Sequence, residues 1–193
     1  MTRVGNREKI LTEGLKVVHG LGFANASVRD IVAAAGVPQG SFTNHFVSKE
    51  AFGLEVLDLY YADICEVMAE TLLNDALPPL KRMRMWLDCH TERNRKSGFR
   101  NGCLIGNFTA EAGSHGAAIQ ARLKEIIGEI QVAIAACLKA AVKAGELPKG
   151  FDCSETAEFI FLGMQGATLV TKAQGNALAT DRFKKMLFAK VLR

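Results

Sequence analysis

Residues 27–46 read SVRDIVAAAGVPQGSFTNHF, and local physical chemistry leaves them few alternatives. Val28, Ile31, Val32 and Ala35 recur at the i, i+3, i+4, i+7 spacing that lines one side of a helix, so this half forms a helix with one buried face. Ser27 stands where an N-cap hydroxyl accepts from a backbone N–H. Asp30, three residues on, closes a capping box and suits the positive end of the helix dipole. Gly36 follows the last stripe residue and can take a positive φ, while Pro38 suits the first position of a second helix because no N–H is needed there. The chain must therefore turn tightly between two short helices.

In the second helix only Phe42 and Phe46 recur as apolar residues, at i, i+4. Gln39, Gly40, Ser41, Thr43, Asn44 and His45 take the other positions and give a short, uncharged face rich in hydrogen-bonding groups. Gln and Asn can pair bidentately with adenine in a major groove, and Ser or Thr with several bases. Helix, glycine turn and polar helix make a helix-turn-helix. Together with Ser48-Lys49-Glu50-Ala51-Phe52, the stretch resembles the DNA-binding domain of the tetracycline-repressor (TetR) family. That resemblance implies a three-helix head that meets double-stranded operator DNA through Gln39, Gly40, Ser41, Thr43, Asn44 and His45. Ser27 and Lys49 are expected at the phosphate backbone, Lys49 because it sits beside an exposed helix N-terminus. Thr43 departs from the family, which commonly carries a phosphate-touching tyrosine at that position; threonine is shorter, so the anchor is lost or shifts to His45.

The chain has 193 residues, of which 49% are apolar, enough for a sizeable core. Its charge of +4, from 24 basic and 20 acidic residues, is too mild to argue nucleic-acid binding without a motif. Five cysteines (Cys65, Cys89, Cys103, Cys137, Cys153) are an odd number with no C-x-x-C pair, and the histidines are scattered. Neither a disulfide framework, a metal site nor a cofactor is expected. No apolar N-terminal region reads as a signal peptide, and the most apolar window, residues 159–170, is too short for a bilayer. A cytoplasmic protein without membrane contact is expected.

The remaining chain reads as helices throughout, with no strand signal. Leu11, Leu15 and Val18 give residues 6–21 an apolar stripe that should cover the motif helices, and Phe23 should plug that three-helix core. Arg3, Arg7 and Lys9 near its start are open to phosphate contact or to solvation. Ser48 caps a fourth helix whose packing face is Ala51, Leu54, Leu57 and Tyr61, running on to about Leu73. Leu77-Pro78-Pro79 breaks it, and a fifth helix follows to Lys96 with Met83, Trp86, Leu87 and His90 on one side. After a short helix opened by Cys103, Leu104 and Ile105, the positions Ile119, Leu123, Ile126, Ile127, Ile130, Ile134 and Leu138 keep helical spacing from Ala117 to Ala144. Ser154 should cap the next helix, where Gly163 and Gly166 let another helix come close. Phe183, Met186, Leu187, Val191 and Leu192 give the last helix an exposed apolar stripe. The expected architecture is all-α: a helix-turn-helix DNA-binding domain at 1–48, then a helical ligand-binding and dimerisation domain at 49–193.

The family resemblance implies a homodimer through the last two helices and a pocket for a small-molecule inducer. Its candidate lining is Tyr61, Ile64, Met68, Trp86, His90, Cys103, Asn107, Phe108, Ile130, Phe161 and Gln165; each also reads as plain core. The run Gly102-Cys103-Leu104 and the late Lys172 resemble a subgroup that includes electrophile-responsive repressors, which makes Cys103 with Lys172 a redox-switch candidate. The competing reading is a helical small-molecule-binding protein or an enzyme without DNA binding. No nucleophile elbow, phosphate loop or dinucleotide fingerprint supports a catalyst.

Overall fold

The computed structural model describes residues 5–193, all of whose regular structure is helical. The helices are α1 (Asn6–Leu21), α2 (Val28–Ala35), α3 (Gly40–His45), α4 (Lys49–Glu70), α5 (Pro79–Lys96), α6 (Leu104–Ala110), α7 (Ala117–Lys143), α8 (Cys153–Gln174) and α9 (Leu178–Met186). A 3-10 turn, Ala112–Ser114, precedes α7, and a π-helical turn, Leu187–Val191, extends α9. Arg3 lies outside the described residues.

Two compact units partition the chain. The first takes the residues up to Ala62 together with Leu104–Lys124, and the second takes Asp63–Cys103 with Glu125–Arg193. The first unit thus reaches beyond the stretch 1–48, because the opening half of α4 buries Phe52, Val56 and Leu57 and draws α6 and the start of α7 into the same body.

Within the first unit, α2 starts and stops as its sequence dictates. Ser27 Oγ accepts from Asp30 N at 3.1 Å, and Ser27 N donates to Asp30 Oδ2 at 3.0 Å. Gly36 closes the helix in the left-handed region (φ 63°), and the next N–H, of Val37, reaches back to Val32 O. Pro38 stands just outside α3 rather than opening it, with its carbonyl accepting from Ser41 N. Phe42 and Phe46 are buried against Phe52, the three ring centroids lying 5.2–5.4 Å apart.

The buried side of α1 is turned from the expected stripe: Ile10, Gly14 and Val18 are buried, while Leu11 and Leu15 are half-buried. Gly14 is the reason. A Cβ there would lie 2.6 Å from the Phe52 ring and 2.8 Å from Ile31, so the bare backbone lets α4 and α2 press against α1. Phe23 does not plug the three-helix core but packs on Phe108 and His115, at centroid distances of 5.0 and 5.4 Å. On α4, Leu57 and Tyr61 are buried as expected, with Phe52, Val56 and Tyr60 buried as well and Ala51 and Leu54 only half-buried.

The second unit is built on α7, whose Ile126, Ile130, Ile134 and Leu138 are all buried. Pro79 is the first residue of α5, in the helical turn whose N–H groups have no intrahelical partner to lose. Asp152, not Ser154, caps α8, its carboxylate accepting from Ser154 N and Glu155 N at 3.0 and 2.9 Å. Gly163 admits α9: a Cβ there would meet the Phe183 ring at 2.4 Å. The stripe expected to be exposed on the last helix divides, since Leu187 and Leu192 are buried, Phe183 and Val191 are half-buried and only Met186 faces outward. The π-helical turn closes with Leu192 N donating to Leu187 O, and these two leucines are its buried ends.

Candidate nucleic-acid interface and regulatory core

Because Phe42 and Phe46 fix the inner side of α3, the residues between and before them must point out. Gln39, Gly40, Thr43, Asn44 and His45 are exposed, and Ser41 is half-buried. Their freedom differs. Thr43 Oγ1 donates back to Gly40 O at 3.1 Å, so its hydroxyl already has a partner. Ser27 is exposed, but its hydroxyl is engaged with both the backbone and the carboxylate of Asp30. Gln39, Asn44 and His45 carry the most available hydrogen-bonding groups of the face.

Lys49, expected at a phosphate, turns inward. Its Nζ donates to Ala24 O at 3.2 Å and lies 4.8 Å above the Phe23 ring. Burial lowers its pKa, with the Glu111 carboxylate opposing the shift. Arg7 is likewise committed, paired with Glu55 and set over the Phe46 ring. Two exposed residues went unnoticed in the sequence: Arg29 in the first turn of α2, and Val47, 97% exposed directly after Phe46. Arg29 was legible as a cation beside an N-cap. Val47 was masked by the apolar character that marks most valines as core.

The expected ligand-lining residues fall in both units. Tyr61, Asn107 and Phe108 belong to the first, where Phe108 is the middle of the Phe23–His115 ring cluster rather than a free surface. Ile64, Met68, Trp86, His90, Cys103, Ile130, Phe161 and Gln165 belong to the second. There Met68, Trp86, Ile130 and Phe161 are buried, and Ile64 is half-buried. Gln165 Nε2 lies 3.6 Å from the buried Cys103 Sγ as a donor. Lys172, the other switch candidate, is half-buried on α8.

His90 is the one strongly perturbed histidine of that group. Thr168 Oγ1 donates to Met164 O at 2.8 Å, so it accepts from His90 Nε2–H, also at 2.8 Å, which assigns the tautomer from the network. Burial, helped by Arg93, holds the imidazole at about 4, neutral at ordinary pH. One turn along α8, the hydroxyl of Thr171 is buried without a hydrogen-bond partner among the described residues. The sequence had not singled out either threonine.

Residues 10–56 match the profile of bacterial regulatory proteins, tetR family, and residues 79–187 match the tetracyclin repressor-like C-terminal domain. The chain belongs to the TetR family. It is 31% identical to the HTH-type transcriptional repressor DhaR of Mycobacterium sp. (strain GP1), over 100% of this chain and 95% of that protein. The transcriptional regulator AcuR of Cereibacter sphaeroides is 30% identical over 86% of this chain and 76% of its own. Among solved structures, the regulatory protein TetR from Rhodobacter sphaeroides superposes with a TM-score of 0.90 at 29% identity, covering 94% and 96% of the two chains. Reduced NemR from E. coli shares the fold at a TM-score of 0.82 and 20% identity, over 94% of each chain. Family membership makes this protein a DNA-binding transcriptional regulator rather than an enzyme. Among the described residues no helix is long and apolar enough to cross a membrane, and no group of three or more His, Cys, Asp or Glu is arranged to hold a metal.

Proposed function

We propose that the chain is a homodimeric repressor whose α3 enters the major groove of a palindromic operator and leaves it when the regulatory part is occupied or modified. Residues 1–48 act as the DNA-binding domain and 49–193 as the ligand-binding and dimerisation domain of a cytoplasmic protein. The observation that carries this reading is the outward, uncharged polar face of α3 braced from behind by Phe42 and Phe46. Gln39 and Asn44 read bases, Gly40 lets the backbone approach, and Ser41, Thr43 and His45 complete the contacts. Ser27 and Arg29 meet phosphate at the start of α2.

Dimerisation through α8 and α9 is supported by apolar side chains that the chain itself leaves uncovered. Phe159, Leu162 and Leu169 are 51%, 59% and 66% exposed along α8, and Leu178 and Met186 are 48% and 56% exposed on α9. Such a stripe is costly in water and calls for a partner surface. A second copy also doubles the bases read, with half-sites about 34–36 Å apart or a multiple of it.

Two features support an inducer site in the second unit. The first is a neutral polar spot, His90–Thr168, with the buried, unpartnered Thr171 hydroxyl one turn along α8. The second is the buried Cys103 with Gln165 at its sulfur, the residue on which an electrophile would act with Lys172 as helper. Either event must favour the released conformation over the DNA-bound one to act as a signal.

The test is a gel shift on the DNA upstream of the gene, at two salt concentrations, with and without N-ethylmaleimide. Binding that prefers one palindrome and weakens steeply with salt supports the regulator. Equal binding to any DNA, or none, would leave a helical ligand carrier. If Cys103→Ser releases DNA under the reagent as wild type does, the thiol switch is elsewhere.

A further inference from the structure

We propose that Glu111 and Lys49 form a clip on the loop between α1 and α2, and that this clip, not a phosphate contact by Lys49, fixes how α2 and α3 are presented to DNA. The inference rests on DNA binding by the first unit and gives one of its residues a different task from the one its charge implies.

The loop is the joint from which α2 departs, and one residue in it, Ala24, is held through both its N–H and its C=O. Glu111, between α6 and the 3-10 turn, accepts from Ala24 N through Oε2 at 2.8 Å. Lys49, the first residue of α4, donates to Ala24 O at 3.2 Å. The other Glu111 oxygen lies where a side chain on Gly22 would be: a Cβ there would sit 2.4 Å from Oε1. Gly22 also has φ 85°, so it is doubly required, once by the backbone and once by the carboxylate.

The ammonium of Lys49 rests over the Phe23 ring, and that ring packs on Phe108 and His115. Phe23 and Ala24 are therefore tied to α4, to α6 and to the residues flanking the 3-10 turn. Ala26 N then donates to Gly22 O, and Ser27 caps α2 immediately afterwards. Ala24 is exposed and water could solvate its N–H and its C=O, so two charged side chains converging on this residue act on its position.

The clip and a plain charge effect predict opposite signs. DNA is a polyanion, so deleting the Glu111 charge would strengthen binding if only net charge mattered, and a lysine bound to phosphate would contribute about one to the salt slope. If the clip positions the helices, loss of Glu111 weakens binding, and loss of Lys49 weakens it without changing the slope.

The experiment uses the full chain with Glu111→Ala, Glu111→Gln and Lys49→Met. Affinity for the upstream DNA is read by fluorescence anisotropy across salt concentrations, and amide exchange at Ala24 is read without DNA. Removing one charge-assisted hydrogen bond should weaken DNA binding about tenfold in Glu111→Ala and raise Ala24 exchange by a similar factor. Glu111→Gln should recover part of both, because its amide oxygen still accepts from Ala24 N–H. Lys49→Met should weaken binding with the slope unchanged.

Equal or tighter binding by Glu111→Ala, a slope reduced by about one in Lys49→Met, or unaltered Ala24 exchange would each overturn the proposal. If Glu111→Ala fails to fold, Glu111→Gln and Lys49→Met give the same two readouts. Wild-type protein that binds no DNA would remove the presentation role together with the DNA-binding reading. Ala24 exchange would then still report whether the clip itself forms.

Discussion

Acidification tests the buried His90–Thr168 pair. The imidazole is held at about 4 by burial and by Arg93, against an ordinary value of 6.5, so folding favours the neutral ring. A histidine lowered in this way contributes stability that is fully present above about 6.5 and is lost as pH falls toward 4. From those two values, a shift from about pH 7.5 to about pH 5 costs the folded state roughly 2 kcal/mol, because the unfolded chain takes up a proton that the folded one refuses. His90 as a whole is half-buried, which makes that figure the upper end.

His90→Gln supplies the control: its amide N–H can still donate to Thr168 Oγ1, but it does not titrate. Urea unfolding of both proteins, at the two pH values and one fixed protein concentration, isolates the His90 contribution as the difference between their losses. Wild type should lose about 1–2 kcal/mol more than His90→Gln. Equal losses would mean that the ring is solvated or already charged, and the account of the α5–α8 polar spot would fail.

Phe42→Ala removes a 2%-exposed ring from the Phe42–Phe46–Phe52 cluster, which should cost about 3–5 kcal/mol and abolish operator binding, as calorimetry and anisotropy would report. Gly163→Val drives side-chain atoms into Phe183 and should destabilise the second unit by about 1–3 kcal/mol; an unchanged melting temperature would refute the α8–α9 approach. Leu162→Glu with Leu169→Glu places charge on the exposed stripe of α8 and should give monomers by sedimentation with the helix content retained; dimers that persist would put the seam elsewhere.

The helix-turn-helix was the most legible part of the chain because its signals are local. Ser27, Asp30 and Gly36 act on their own backbone within three residues, and the structure has each in that role. The long helix α7 was equally readable, since a sustained 3.6-residue period needs no knowledge of the partner. What sequence reasoning lost depends on contacts between distant segments. Gly14 has no side chain to register in an apolar pattern, yet it decides which side of α1 is buried.

Lys49 read as a free cation because Ala24, Phe23 and Glu111, which engage it, arrive from other parts of the chain. Phe108 was open between pocket wall and core for the same reason, its ring partners being Phe23 and His115. Leu187 and Leu192 had the right spacing for an outer stripe, yet both are buried, at the start and just past the end of the π-helical turn. At the α8 start two cap-forming residues stand two positions apart, and only the folded chain distinguishes Asp152 from Ser154.

The central claim is that α3 presents Gln39 and Asn44 to base edges, twice, from a symmetric pair of chains. A footprint on the gene's own upstream DNA, with wild type and with Gln39→Ala/Asn44→Ala, addresses it directly. The account predicts two protected half-sites related by two-fold symmetry, about one helical turn or a multiple of it apart, lost in the double variant while its fold and dimer persist. Protection that is unchanged in the double variant, or spread evenly over any sequence offered, would contradict it.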